Sequence, residues 1–124
     1  MTLVLDSGAL IAVEKADRPT LIVMEAARRE GRKLVVPAGV VAQVWRGGQR
    51  QARLARFLSA RGVEVEALTD AGARASGVTC GRSGTADIVD ASVVVAARRH
   101  RATVVSSDRV DLEVLDSDIA ILDC

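Results

Sequence analysis

The sequence predicts an α/β fold, a three-layer α/β/α sandwich with a mainly parallel five-stranded sheet. Short apolar runs alternate with helical segments along all 124 residues, and this alternation is typical of βαβ units. The length suits one hydrophobic core, and the chain has no internal repeat, linker or low-complexity tract. We therefore expect a single domain over residues 1–124.

The N-terminal third predicts two strands and two helices. Residues 2–5 are apolar and end at an aspartate, as expected of a buried parallel strand with a polar residue at its carboxyl end. A serine–glycine turn leads into a short apolar helix at 9–13. The helix predicted at 19–30 has a proline in its first turn and a glycine after its end. Strand 34–37 is apolar and is stopped by a proline.

The middle third predicts one strand among helices. Helical periodicity over residues 39–45 is broken by a glycine pair and resumes at 49–60. Residues 63–68 alternate apolar and acidic side chains, which indicates a half-exposed edge strand. Thr69 then caps a helix that extends to about Cys80.

The C-terminal third predicts the central helix and the last two strands. Helix 87–100 is apolar beyond its first turn and ends in a basic cluster, where cations complement the helix dipole. Strand 103–106 follows, then a short helix at 109–115. Strand 119–122 closes the sheet.

Composition narrows the possible environment and partners. No apolar run approaches the roughly 18 residues that span a bilayer, and an aspartate interrupts the apolar N-terminus, so we expect neither a membrane-spanning helix nor an export signal. Cys80 and Cys124 are expected to be reduced thiols. All 17 basic residues except Lys15 and Lys33 are arginine, a side chain suited to phosphate. Aromatic residues make up only 2%, which disfavours base stacking on an aromatic platform.

Four aspartates are placed to converge. Asp87 and Asp90 lie three residues apart at the start of an apolar helix, so they share one helical face. Asp6 and Asp108 each follow an apolar strand. Ligands of open parallel sheets bind outside the carboxyl ends of the strands. If the strands before Asp6 and Asp108 are neighbours, we expect all four carboxylates at one edge of the sheet.

A divalent cation is the natural partner of such a cluster. Carboxylates held together repel one another and lose stability unless a cation neutralises them. Oxygen ligands favour Mg²⁺ or Mn²⁺, and the single histidine, His100, lies at the far end of the helix from the acids. A histidine-rich zinc site is therefore excluded. A hard divalent ion among carboxylates is suited to the attack of water on a phosphodiester.

Each acid also has a purely structural interpretation. Asp6 and Asp108 both precede a helix and can serve as its cap. Asp87 stands where a carboxylate favours a helix N-terminus. Asp90 can lie on an exposed helix face, and Asp111 in solvent. Independent caps do not explain why the acids converge on one edge.

Three segments of the chain resemble the aspartate motifs of PIN-domain nucleases. They are Leu5-Asp6-Ser7-Gly8-Ala9-Leu10-Ile11-Ala12, Gly84 to Ala91 with Asp87 and Asp90, and Val104-Val105-Ser106-Ser107-Asp108. Their order and spacing and the length of the chain also match that family. The resemblance therefore covers essentially the whole chain.

This resemblance implies a Mg²⁺- or Mn²⁺-dependent endoribonuclease that cleaves single-stranded RNA, of the kind found as the toxin in VapBC-type toxin–antitoxin pairs. Asp6, Asp90 and Asp108 match the family's metal-binding and catalytic positions, with Asp87 an added acid of the same cluster. The resemblance also implies a cytoplasmic homodimer, blocked by an antitoxin protein that docks near the acidic groove.

One position departs from the family's pattern. The second motif of the family has a glutamate in the helix after the second strand, where this chain offers Gln43. An amide can bind a metal through its carbonyl oxygen, but it carries no charge and cannot act as a base. Asp87 is the preferred compensating acid, because it shares a helix face with Asp90. Glu14 and Asp111 are the alternatives.

Hydroxyl and arginine side chains complete the predicted site. Ser7 follows the first aspartate, and Ser106 or Ser107 replaces the threonine common before the last one. A hydroxyl there can orient a carboxylate or contact phosphate. The RNA-binding residues are predicted to be Arg46, Arg50 and Arg53, whose i, i+4, i+7 spacing indicates a basic helical stripe. A solvated helix face is the alternative, and Trp45 is either a core or dimer contact or an RNA-stacking residue.

Two functions stay open at this point. The first is the metal-dependent ribonuclease. The second is a PIN-like module that binds RNA or a protein without cleaving, which Gln43 favours. A phospho-accepting receiver domain fits the α/β pattern, but the chain lacks an acceptor aspartate after its middle strand and a lysine after its last.

Overall fold

The computed structural model describes the whole chain, residues 1–124, as five strands and seven α-helices. The strands are β1 (Thr2–Leu5), β2 (Lys33–Pro37), β3 (Val63–Glu66), β4 (Thr103–Ser106) and β5 (Ile121–Asp123). The helices are α1 (Ser7–Glu14), α2 (Arg18–Arg29), α3 (Ala38–Val44), α4 (Ala52–Leu58), α5 (Asp70–Ser83), α6 (Ile88–His100) and α7 (Arg109–Leu115). A 3₁₀ turn at Gln49–Gln51 precedes α4.

The sheet is wholly parallel, and its order is β3-β2-β1-β4-β5. In the central register Val4 lies between Val35 and Val104. The five-stranded sheet and the edge position of β3 are confirmed. The chain winds outward from β1 in one direction through β2 and in the other through β4, so a topological switch point lies between β1 and β4. Those are the two strands that carry Asp6 and Asp108 at their carboxyl ends.

Right-handed crossovers distribute the helices over both faces of the sheet. The first layer holds α1, α2 and α4, which contact β1, β2 and β3. On the opposite face α6 packs against β1, β2 and β4, and α5 and α7 pack against α6. Helix α3 touches both α1 and α6 at the carboxyl edge of the sheet. The predicted three-layer architecture is therefore confirmed.

The core explains why α6 is the central helix. Val93 and Val94 are completely buried, as are Val4 and Leu5 of β1 beneath them. Each such side chain contributes about 1.5–3 kcal/mol by leaving water. The alanines of α6 are also buried, and their small size lets the helix backbone lie close to the sheet. The first turn of α6 is thereby held over the end of β1.

Several element boundaries differ from the predicted ones. The helix predicted at 49–60 is a 3₁₀ turn followed by the shorter α4. Thr69 does cap α5, accepting the N–H of Gly72 at 3.1 Å, but α5 continues past residue 80 to a glycine in the left-handed conformation, Gly84, at φ 70°. The last strand starts two residues later than predicted. None of the helices has the length and apolar character needed to cross a bilayer.

Candidate acidic site

Asp6 is the most firmly held acid of the site. It lies at the end of β1, is only 2% exposed, and caps α1 by accepting the Ala9 N–H at 3.1 Å. Its second carboxylate oxygen accepts a short hydrogen bond from the Ser106 hydroxyl. Burial raises the pKa of Asp6, and the negative charge of Asp108 raises it further, although the two hydrogen bonds oppose the shift. The capping interpretation is correct for Asp6, but capping uses only one of its oxygens.

Ser106 joins the ends of the two central strands. Its fully buried hydroxyl donates to Asp6 and accepts the backbone N–H of Asp108 at 2.8 Å. The Ser106 side chain therefore fixes the position of Asp6, which follows β1, relative to Asp108, which follows β4. Sequence reasoning left Ser106 and Ser107 as alternatives for the hydroxyl that orients a carboxylate. The structure assigns that contact to Ser106.

Asp108 has the opposite character to Asp6. It stands at the N-cap position of α7, yet its side chain makes no capping hydrogen bond and is exposed. The capping interpretation is therefore wrong for Asp108. Its charge nevertheless raises the pKa of both Asp6 and Asp90. Asp6 and Asp108 therefore lie at the adjoining carboxyl ends of β1 and β4, and Asp90 lies close enough for the charge of Asp108 to act on it. This acidic edge of the sheet is the acidic crevice.

Asp87 and Asp90 form the α6 wall of that crevice. Asp87 caps α6, because one of its carboxylate oxygens accepts the Asp90 N–H at 3.0 Å. The interpretation of Asp87 as a helix-capping residue is therefore correct for that oxygen. Asp90 is half-buried in the first turn. Burial raises its pKa to about 7, and Asp87, Asp108 and Asp111 add to the effect in that order. The exposed-face interpretation of Asp90 is therefore wrong.

Asp111, which the sequence offered only as an alternative compensating acid, lines the same pocket as Asp87 and Asp90. It is exposed in the first turn of α7, close enough to raise the pKa of Asp90. The signal was present in the sequence, because Asp111 follows Asp108 by three residues on a helix and so shares its face. The shallow pocket between α6 and α7 is lined by Thr85, Asp87, Asp90, Asp111, Val114 and Leu115.

Gln43 reaches the site through α1. Its side-chain carbonyl accepts a short hydrogen bond from the Ser7 hydroxyl, next to Asp6. The amide therefore lies beside the crevice, at the position where the resemblance led us to expect a glutamate. Glu14 is the last residue of α1, about 10 Å along the helix axis from Ser7. It is therefore too distant to compensate for the missing carboxylate.

Gly8 allows α1 to approach the β4–α7 loop. A Cβ atom on Gly8 would lie 1.9 Å from the Ser107 hydroxyl oxygen and 2.9 Å from the Ser107 Cβ. A side chain at residue 8 would therefore force Ser107 to shift. The glycine of the first motif thus lets the start of α1 lie against the loop that carries Asp108.

The carboxylates do not form a closed chelate. No three acidic, histidine or cysteine side chains lie close enough together to hold one ion jointly. This differs from the expectation of four converging ligands, because Asp6 is bound by Ala9 and Ser106 and Asp87 is bound to the start of α6. The donors are all oxygen atoms, and Mg²⁺ is commonly held by one or two carboxylates while keeping several waters. The donor set therefore fits a hydrated hard cation.

The predicted basic stripe is not a single helical face. Gly47 and Gly48 both have positive φ, and they separate α3 from the 3₁₀ turn. Arg46 lies in that connection and donates to the Trp45 carbonyl at 2.8 Å, whereas Arg53 lies in α4 and donates to the Glu14 carbonyl at 3.3 Å. The helical interpretation is wrong, and Arg46, Arg50 and Arg53 instead form a band along the α3–α4 segment.

Trp45 and His100 lie outside the crevice. Trp45 ends α3 and is 40% exposed, so it is not a core residue. His100 ends α6, where its ring nitrogen lies 2.8 Å from a Glu66 oxygen. His100 therefore lies at the opposite end of α6 from Asp87 and Asp90. Both cysteines are free, as predicted.

Comparison with known proteins adds a family and a fold. The profile of the PIN domain family matches residues 3–116. The structure of VapBC2 from Rickettsia felis bound to a DNA fragment from their promoter aligns over 100% of this chain and 99% of that chain, with a TM-score of 0.77 and 15% identity. FitAcB from Neisseria gonorrhoeae aligns over 97% and 96%, with a TM-score of 0.65 and 16% identity. VapBC-1 from nontypeable Haemophilus influenzae aligns over 99% and 98%, with a TM-score of 0.64 and 19% identity. No curated protein matches the chain by sequence.

Proposed function

The chain belongs to the PIN domain family, and from this premise we propose that it is an endoribonuclease that cleaves single-stranded RNA with Mg²⁺ or Mn²⁺. Nucleases of this family use divalent metal ions. The observation that carries the proposal is the Ser106 hydroxyl, which joins the Asp6 carboxylate to the Asp108 backbone at the ends of the neighbouring strands β1 and β4, with Asp90 in the first turn of α6. A protein that needed these acids only as caps would gain nothing by placing them in one crevice.

Asp6, Asp90 and Asp108 are the candidate ligands, and one or two of these carboxylates would hold a hydrated ion, since no three lie close enough to hold it jointly. Asp6 is fixed by Ser106 and the α1 backbone, so it provides a rigid oxygen at the centre of the sheet. Asp108 has no side-chain hydrogen bond, so both its oxygens are available. When bound, a divalent cation activates a water for attack on phosphorus and neutralises the leaving oxygen.

The remaining site residues position this set. Asp87 fixes the first turn of α6 through the Asp90 N–H and keeps a second oxygen for the crevice. Gln43 offers a neutral carbonyl oxygen beside Ser7. Burial and the neighbouring acids raise the pKa of Asp90 to about 7, and a cation held beside it would favour its ionised form. Ser7 and Ser107 lie at the rim, where a hydroxyl can contact phosphate.

The biological setting is part of the same proposal. The similar structures are those of VapBC2, VapBC-1 and FitAcB. By this likeness we propose that the chain is the toxin of a toxin–antitoxin pair, with a cognate antitoxin as its protein partner. A homodimer acting in the cytoplasm completes this proposal.

One observation favours a second candidate function, RNA or protein binding without cleavage. Gln43 places a neutral amide where the resemblance implies a carboxylate, which lowers the charge that can hold a cation. A crevice that binds metal weakly can still bind RNA through the arginines of the α3–α4 segment.

Cleavage of RNA separates the two candidates. Purified protein is incubated with single-stranded RNA and Mn²⁺ beside Asp6→Asn, Asp108→Asn and Asp118→Asn. Asp118 is exposed and outside the crevice. We expect the native chain and D118N to cleave, and D6N and D108N to lose about 100-fold or more in rate, since each loses a charge that acts on the transition state.

Two results would contradict the nuclease. Equal cleavage by all four proteins would identify a contaminating ribonuclease. RNA binding by the native chain without any cleavage, at every Mn²⁺ concentration, would establish the binding module instead.

A further inference from the structure

A basic concavity lies at the edge of the sheet opposite the acidic crevice. It is formed where α2 ends and where β2 and β3 begin, at the amino ends of these strands. Its charged lining is Arg28, Arg29, Arg32, Lys33, Arg61 and a single acid, Glu25. The two ends of the sheet therefore carry opposite charge.

Two of these cations have no acidic partner. The other three basic side chains each form an ion pair. Arg28 pairs with Glu25 at 3.5 Å, Arg32 with Glu30 at 3.0 Å, and Lys33 with Glu64 at 2.6 Å. Arg29 and Arg61 are exposed and form no ion pair. The Arg61 carbonyl accepts the Nε–H of Arg28 at 3.2 Å, which joins the end of α2 to the start of β3. Two guanidinium groups are thus free for phosphate oxygens.

The helix dipole does not explain the whole cluster. Arg28 and Arg29 stand in the last turn of α2, where cations are favoured for purely structural reasons. Lys33 belongs to β2, and Arg61 precedes β3, so neither is part of a helix end. Cations from three elements converge, which a solvated helix terminus would not require.

The cluster is one end of a long acid-free segment. Residues 31–63 contain seven lysines and arginines and no aspartate or glutamate, although the whole chain has 17 basic and 16 acidic residues. The positive electrostatic potential along such a segment attracts a polyanion.

This segment connects the two ends of the sheet. The segment lies beside the acidic crevice at Gln43, whose side chain contacts Ser7. Arg46 follows after three residues, and Arg53 reaches the Glu14 carbonyl at the far end of α1. Arg61 then lines the concavity. The arginines therefore run from the carboxyl edge of the sheet to its amino edge.

We propose that the concavity around Arg29 and Arg61 is a second contact site for the phosphate backbone of single-stranded RNA whose scissile bond lies in the acidic crevice. The RNA follows the arginines of residues 46–61 between the two sites. The inference rests on the proposed function, because it takes the crevice as the point of cleavage. It adds that the substrate is a long strand rather than a short fragment.

Strand length provides the test. The two sites are separated by at least the roughly 16 Å of a five-residue β-strand. A dinucleotide has a single internucleotide phosphate and therefore cannot contact both sites at once, whereas an oligonucleotide of about 20 nucleotides can. Binding of labelled RNA of both lengths is measured by fluorescence anisotropy with EDTA present, so that no metal-dependent cleavage occurs.

The test uses the double variant R29Q/R61Q and the matched control R74Q/R82Q. The control removes the same charge from α5, on the other face of the sheet. We expect R29Q/R61Q to bind the long RNA about 10-fold more weakly and to lower the slope of log affinity against log salt by about 1.4. Binding of the short RNA and all binding by the control are expected to be unchanged. All four arginines are exposed, and the unfolding midpoint of each variant checks its fold.

Three outcomes would overturn the proposal. They are native affinity of R29Q/R61Q for the long RNA, an equal loss in the control, and competition by polyglutamate as effective as that by RNA, which would indicate an acidic protein partner. Cleavage with Mn²⁺ is measured separately. If the protein binds long RNA through these arginines but does not cleave it, the proposed nuclease activity is wrong and the second RNA contact site is supported. If the protein cleaves RNA and its affinity does not depend on these arginines, the nuclease activity is supported and the second contact site is wrong.

Discussion

At the residue scale, the acids of the crevice differ in what their oxygens already bind. Both oxygens of Asp6 accept hydrogen bonds, from Ala9 and Ser106, whereas the Asp108 side chain accepts none. Substitution of Asp6 therefore disturbs folding as well as the site. Substitution of Asp108 disturbs the site alone, which makes D108N the cleaner variant for chemistry.

Gln43 is the residue at which a charge can be added to the site with the least rearrangement. A glutamate there can accept the same Ser7 hydrogen bond and brings a carboxylate to the crevice. We expect Gln43→Glu to bind Mn²⁺ about 10-fold more tightly and to cleave RNA faster when Mn²⁺ is limiting. Calorimetric titration with Mn²⁺ measures the first effect.

The matched control for that variant is Gln49→Glu, which adds the same charge on the exposed 3₁₀ turn. It is expected to bind Mn²⁺ as the native chain does. Native Mn²⁺ affinity in Gln43→Glu would show that Gln43 lies outside the ion's reach.

At the element scale, the site depends on how closely α1 approaches the β4–α7 loop. The contact is between Gly8 and Ser107, and no Cβ fits between them. Gly8 lies in the first turn of α1, where the nearby Ser107 leaves no room for a side chain. Close approach is the physical reason for the glycine of the first motif.

Gly8→Ala is expected to lower the free energy of unfolding by about 1–3 kcal/mol through overpacking and to slow cleavage by moving Asp108. Gly8→Ala combined with Ser107→Gly removes the hydroxyl and the Cβ that clash, so the double variant is expected to recover most of the loss. Urea denaturation of the two single variants and the double variant measures the coupling.

The control for this cycle is Gly77→Ala on α5, where nothing lies within 4 Å of the added Cβ. It is expected to be as stable as the native chain or slightly more stable. If Gly8→Ala matched Gly77→Ala in stability, the close approach of α1 to the loop would have no energetic consequence.

At the scale of the whole molecule, the fold gathers negative charge at one edge of the sheet and positive charge at the other. Burial and three neighbouring acids raise the pKa of Asp90 to about 7, so the folded chain binds this proton more tightly than the unfolded chain does. The free energy of unfolding must then fall as pH rises from the unfolded value near 3.8 towards 7. The raised pKa of Asp6 acts in the same direction.

We expect the metal-free protein to lose on the order of 2 kcal/mol between about pH 4.5 and 7.5, a figure reduced for the partial exposure of Asp90. Asp90→Asn removes most of this loss. At the higher pH, Mn²⁺ at 100 times its dissociation constant is expected to restore about 2.7 kcal/mol in the native chain and much less in Asp90→Asn. Urea denaturation with and without EDTA measures both effects.

Asp118→Asn serves as the control, since it removes a carboxylate outside the crevice. It should retain both the pH dependence and the response to Mn²⁺. A native pH dependence in Asp90→Asn would contradict the electrostatic account of the crevice.

Much of the fold was predictable because its signals are local. Apolar runs identified β1, β2 and β4, and the alternation at 63–68 marked β3 as an edge strand. Helix ends were predicted less well, since the continuation of α5 to Gly84 depends on its packing against α6. The prediction that Arg46, Arg50 and Arg53 lie on one helical face was wrong. Their i, i+4, i+7 spacing places side chains on one face only within a continuous helix, and Gly47 and Gly48 interrupt the helix here.

The sequence by itself determined which acids are available and the strand ends that carry them, because these follow from residue type and periodicity. Only the tertiary structure decided that β1 and β4 are neighbours, that Ser106 rather than Ser107 joins Asp6 to the Asp108 backbone, and that Asp111 belongs to the crevice. The physical reason is that Asp6 and Ser106 are 100 residues apart in the chain. Contacts over such a separation depend on sheet order and side-chain direction, which no local pattern encodes.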